Sequence, residues 1–102
     1  MGVIITTKFP GGMASNLEIA AKEHADLLVK ASEEGRAKGA VHHCFVEEPD
    51  GSVLVIDEWD SEESYLDFFK NQADIPKIAE AAGVTGMPTH TTYRIIETSD
   101  RF

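Results

Sequence analysis

The 102-residue chain has one cysteine, one tryptophan and nine basic residues against eighteen acidic ones. Each scarcity excludes something. A lone Cys44 has no partner for an internal disulfide, and the chain has no CxxC pair to build a redox or zinc centre. A cytoplasmic, reducing setting is the expectation. The formal charge of −9 opposes both the phosphate backbone of nucleic acids and anionic membrane surfaces. No apolar run approaches the roughly 20 residues that a membrane-spanning helix needs. The opening Met1-Gly2-Val3-Ile4-Ile5-Thr6 is too short and lacks the basic flank of a secretory signal. It does meet the minimal myristoylation pattern, but the same residues read better as a buried strand. What is left is one domain, residues 1–102, with a small molecule and a second copy of itself as expected partners. A domain of this size buries about 65% of its unfolded surface and is often helped by a homodimer.

The apolar pattern that is present changes period several times. Val3 to Phe9 is rich in β-branched residues and is expected to end at Pro10-Gly11-Gly12. Ser15-Asn16-Leu17-Glu18 has the form of a capping box. From there Leu17, Ala20, Ala21, His24, Leu27, Leu28 and Ala31 recur at helical spacing, predicting one long helix that stops near Gly35 or Gly39. Ala40 to Glu47 and Val53 to Trp59 flank Pro49-Asp50-Gly51-Ser52, a hairpin signature. After Trp59 the chain turns acidic. Asp60 or Ser61 can cap a helix whose first turn carries Glu62 and Glu63, and Tyr65, Leu66, Phe68 and Phe69 form its apolar side. A helix restarting near Ile75, with Pro76 in its first turn, is expected to end at Gly83, before a last strand from Thr89 to about Glu97.

The order βαββαβ predicts an α+β, ferredoxin-like fold: a four-stranded antiparallel sheet, order 4-1-3-2, with its helices on one face. Apolar residues occur at both parities of the strands, so the other face needs a cover as well. A second sheet supplies it most simply, giving a dimeric α/β barrel in which the sheet edges are protected.

With that plan the chain resembles the dimeric α/β-barrel superfamily, and within it the antibiotic-biosynthesis-monooxygenase group. The resemblance is carried by the strand-to-helix junction Glu58-Trp59-Asp60-Ser61-Glu62-Glu63, with Gly39-Ala40-Val41-His42-His43 standing where the group has its glycine and second strand. It implies a small enzyme that needs no cofactor, although the scaffold carries several reactions and some members with none known. Monooxygenases of the group often have a histidine about nine residues beyond the junction tryptophan, where this chain has Phe68. Haem-degrading members have a tryptophan there and a haem-ligating histidine about ten residues later, where this chain has Phe68 and Ile78. Haem degradation is therefore not expected.

Four histidines are the side chains that titrate near neutrality. His24, on the apolar stripe of the first helix, is either a core histidine or a base toward a phenolic or enolic proton. His42 and His43 are adjacent on a strand, so they face opposite ways and cannot chelate one ion; no metal is expected. His90, on the last strand, is expected to meet one of them across the dimer seam. Of Asp57 and Glu58, one enters an interior, where Arg94 is its natural cation. Tyr65 alone brings a hydroxyl into the aromatic cluster of Trp59, Phe68 and Phe69. Cys44 reads as a small buried apolar residue.

Two readings follow. One is a cofactor-independent monooxygenase acting on an aromatic or polyketide-like compound, with His24 and Tyr65 as catalytic residues and Trp59, Phe68, Phe69 and His43 binding the ligand. The other is a non-catalytic ligand-binding or stress-response barrel that uses the same pocket.

Overall fold

The computed structural model describes residues 2–102; Met1, the first residue of the myristoylation pattern, lies outside them. Eight elements follow one another: β1 (Val3–Met13), α1 (Ala14–Glu23), α2 (Ala25–Lys38), β2 (Ala40–Glu47), β3 (Ser52–Trp59), α3 (Glu62–Lys70), α4 (Ile75–Ala81) and β4 (Thr89–Arg94). The strands form one antiparallel sheet in the order β2-β3-β1-β4. This is the expected α+β, ferredoxin-like arrangement, with β2 and β4 at the edges.

Strand parity decides which side chains meet the helices. Ile5, Thr7, Val53, Val55, Asp57 and Trp59 are buried on the helix side, while their neighbours Ile4, Thr6, Leu54 and Ile56 are only partly covered. Two apolar clusters result. Leu17, Val53, Ile78 and Ala82 form one at the α1–α4 end; Ile5, Trp59 and Tyr65 form the other under α3, with Phe68 and Phe69 packed against it.

Four local expectations are corrected. β1 does not stop at Pro10 but runs through a bulge to Met13: five steps on β1, Lys8 to Met13, match two on β3, Leu54 to Ser52. The bulge is stabilised from outside, since Pro10 needs no amide partner, Gly11 takes φ +78°, and the Pro10 carbonyl accepts the Thr85 amide at 2.8 Å. The single long helix is two, broken at His24, whose backbone (φ −117°, ψ 31°) leaves the helical region. The Ser15 capping box is not used; helix α1 begins at Ala14, two residues before a Ser15 cap would start it, and the Ala14 amide is taken by the Gly51 carbonyl at 2.9 Å. β4 ends at Arg94, short of Glu97.

Candidate functional site

Between the two apolar clusters, the helices and sheet enclose a cavity of about 360 Å³, within the range of small-molecule sites. Its floor is the helix-facing parity of the sheet, Thr7, Phe9, Val55, Asp57 and Trp59. α2 supplies one wall through Leu28, Ala31 and Gly35, and α3 the other through Tyr65, Phe68 and Phe69. Val41, His42 and His43 reach it from edge strand β2. A smaller apolar space of about 50 Å³, lined by Leu17, Val53, Ile78 and Ala82 among others, adjoins it and shares Phe9, Leu28, Phe45 and Ile75.

The elements that build the walls are locally well specified. Ser61 caps α3, its hydroxyl accepting the Ser64 amide at 3.1 Å, and Glu62 and Glu63 place negative charge on the first turn. This start aims Tyr65, Phe68 and Phe69 at the sheet. Trp59 meets Tyr65 edge-on at 5.5 Å and Phe68 at 5.3 Å between ring centroids. Gly35 of α2 is buried against α3; a Cβ there would lie 3.6 Å from the Phe68 ring, in ordinary contact.

Two polar groups interrupt this apolar lining. In the first, Asp57 is buried, and its Oδ1 lies 2.6 Å from Nδ1 of His43, directly opposite it across the β2–β3 ladder. A carboxylate only accepts, so Nδ1 must be the donor, and the neutral ring keeps a lone pair on Nε2. His43 is further held edge-on against Phe45 at 5.0 Å, and about half of its side chain is exposed. This pairing corrects the expectation of Arg94, which is exposed on β4; Glu58 on the opposite parity pairs with Arg101 instead, at 2.8 Å.

The second group joins three elements. The Tyr65 hydroxyl lies 2.7 Å from Oγ1 of Thr7 and 2.9 Å from Nδ1 of His90, and the Thr7 hydroxyl is 3.1 Å from the same nitrogen. Burial pushes the Tyr65 phenol up to about 12, the Thr7 hydrogen bond opposing and the Asp57 charge adding to the rise. Burial also lowers the His90 imidazole below its ordinary value. Within its own chain His90 meets Thr7 and Tyr65.

Of the residues proposed from sequence, Trp59, Tyr65, Phe68, Phe69 and His43 line the one cavity. His24 does not. It sits at the α1–α2 break, half-buried, and is absent from the lining of either space. The indole N–H of Trp59 is buried without a hydrogen-bond partner among the described residues. Arg36 is the cation at the cavity. No cluster of three or more His, Cys, Asp or Glu side chains able to hold a metal forms among the described residues. Sequence reasoning missed Asp57 as the partner of His43, and Thr7 and His90 as partners of Tyr65. The first left a partial signal: counting outward from the Pro49–Ser52 turn brings position 43 to 58, one residue from the observed 57, because the hairpin closes between Glu48 and Ser52.

With this geometry in hand, the comparison with solved structures is decisive for the fold. The chain superposes on SnoaB, a cofactor-independent oxygenase of Streptomyces nogalater, with a TM-score of 0.58 at 14% identity, covering 98% of this chain and 97% of that one. The fold is that of the antibiotic-biosynthesis monooxygenases and related ferredoxin-like proteins. A monooxygenase of Streptomyces coelicolor, in complex with the ligand nanaomycin D, matches with a TM-score of 0.61 at 20% identity over 95% of this chain and 88% of that one. A dimeric ferredoxin-like protein from an uncultured marine organism reaches 0.68 at 12% identity over 99% and 100%. No family model matches the sequence, and no curated protein does. No helix among the described residues is long and apolar enough to cross a membrane.

Proposed function

We propose that the cavity binds an aromatic or polyketide-like compound and supports its cofactor-independent monooxygenation, with His43 as the base. The observation that carries this reading is the His43–Asp57 pair on the wall of an otherwise apolar cavity. Asp57 fixes the ring with Nδ1–H toward the carboxylate, which leaves Nε2 to take an acidic C–H or O–H proton from a bound ligand. The carbanion adds dioxygen to give a hydroperoxide, and loss of the second C–H proton then breaks the O–O bond and expels hydroxide. One oxygen atom becomes a ligand carbonyl and the other leaves as water, so a CH₂ between aromatic rings becomes a ketone with no external reductant. Trp59, Phe68 and Phe69 hold the ring system, and Tyr65 supplies the polar contact on the α3 side. The proton-accepting role thereby passes from His24 to His43. The two Streptomyces proteins of this fold, a cofactor-independent oxygenase and a monooxygenase, support the choice of reaction. We place the protein as a homodimer in the cytoplasm, with Cys44 reduced.

The test is oxygen uptake with an anthrone as substrate. His43→Ala should lower turnover by about 10²–10⁴-fold while anthrone binding, measured by calorimetry, persists. Asp57→Asn should act in the same direction. Binding without turnover in the unaltered protein would favour a sequestering barrel, a reading supported by the solvent exposure of His43, about half its side chain. Unchanged turnover in His43→Ala would remove His43 from the chemistry.

A further inference from the structure

Thr7 and His90 have no role in the chemistry above, yet both are joined to Tyr65, which supplies its polar contact, and Thr7 and Tyr65 line the cavity. Its three atoms lie mutually within hydrogen-bond distance, at 2.7, 2.9 and 3.1 Å. The two hydroxyls bring one proton each. If Nδ1 carries no proton, both are used inside the cluster: the shortest edge, Thr7 to Tyr65, holds one, and an edge to Nδ1 holds the other. The remaining edge is a contact without a proton. If Nδ1 were protonated, one hydroxyl proton would be surplus. Its owner would be Thr7, 1% exposed, or Tyr65, 3% exposed; no further side-chain acceptor for it lies among the described residues, and it could turn only to the largely apolar cavity that both line, unmade there until a ligand accepts it. A buried donor left unmade costs about 1–3 kcal/mol, which selects the ring with its proton on Nε2. A neutral phenol and a neutral imidazole are also what burial imposes on these two groups.

In either arrangement of the two protons, the Tyr65 proton is committed to Thr7 or to His90. Only an oxygen lone pair of Tyr65 remains for the cavity. We propose that His90 is a positioning residue that makes Tyr65 an obligate hydrogen-bond acceptor, so that the site selects ligands presenting a hydroxyl, phenols or enols, over their ethers and carbonyl analogues. This rests on the cavity being a ligand site, and it narrows the ligand to one bearing an O–H on the α3 side. His90 touches no ligand itself; it acts through Tyr65, pressed edge-on at 5.3 Å between ring centroids and backed by Phe69 at 4.9 Å.

Calorimetry with 1-naphthol and 1-methoxynaphthalene tests it, since the two differ in the one proton at issue. The unaltered protein should bind the naphthol about tenfold more tightly, the value of one net hydrogen bond. His90→Phe removes the acceptor that holds both hydroxyl protons inside the cluster, so Thr7 can donate to the Tyr65 oxygen while Tyr65 turns its proton to the cavity, and the ratio should fall toward one. His90→Asn should restore the preference, because its Oδ1 stands where Nδ1 does and can only accept. Thermal melts check that each variant folds, and a misfolded Phe variant leaves the Asn variant and Tyr65→Phe, which should abolish the preference, to decide. Equal binding of the two probes, or an unchanged ratio in a folded His90→Phe, overturns the assignment while leaving the cavity reading intact. If neither probe binds, the cavity reading fails and this inference with it.

Discussion

At the scale of single residues, the buried polar groups carry the testable consequences. His90 is faced by Thr7 from β1 and by Tyr65 and Phe69 from α3, and no carboxylate among the described residues hydrogen-bonds to it. Burial lowers its proton affinity below the ordinary 6.5, so the folded chain binds fewer protons than the unfolded one between the two values. The stability that depends on a neutral His90 is complete above about pH 6.5 and is lost as the pH falls through the folded value. Melting temperatures at pH 7.5 and pH 5 should show a larger drop for the unaltered protein than for His90→Asn, and equal drops would contradict the assignment. The aromatic lining was legible in the sequence because Trp59, Tyr65, Phe68 and Phe69 sit on one junction, where strand parity and helical spacing both act locally. The link between Tyr65 and His90 was not. It depends on β4 returning to pair with β1, and nothing short-range sets Thr7 against His90.

Elements show the same division between near and far. The hairpin, the start of α3 and the Pro76 helix follow from turn and cap chemistry within a few residues, and each forms where that chemistry places it. The break at His24 and the bulge after Lys8 do not. The first interrupts an apolar stripe that reads as continuous, and the second is held by a carbonyl contact to Thr85, some seventy-five positions away. Where α2 turns into β2, Gly39 takes φ +125°, and an added Cβ would lie 2.5 Å from the Asp60 carboxylate. Gly39→Ala should therefore cost about 1–3 kcal/mol in urea unfolding, chiefly because it puts a side chain on a left-handed backbone, the exposed Asp60 carboxylate being able to move aside. Ser61→Ala removes the α3 cap and should cost about 1 kcal/mol. A Gly39→Ala variant as stable as the parent would show that the α2–β2 corner relaxes freely, loosening the wall that Gly35 and Phe68 share.

For the molecule as a whole, the sheet separates two environments. One face carries the cavity under the helices; the other presents Ile4, Cys44, Val46, Leu54 and Ile56 half-covered and Tyr93 exposed. The homodimer proposed for this protein buries that second face, and sedimentation of Ile56→Glu should show a shift toward monomer that Leu66→Glu, on the exposed side of α3, does not. Ligand binding in the cavity has a direct reporter. Trp59 is the single tryptophan of the chain and stands on the cavity wall. The most direct test is a titration of its fluorescence with 1,8-dihydroxyanthraquinone, comparing the unaltered protein with Gly35→Phe, which fills the space between α2 and Phe68. Saturable quenching at one ligand per subunit, lost in the filled variant, is the predicted result. Quenching that never saturates, or that survives in a folded Gly35→Phe, would place the ligand elsewhere and contradict the assignment of this cavity as the functional site.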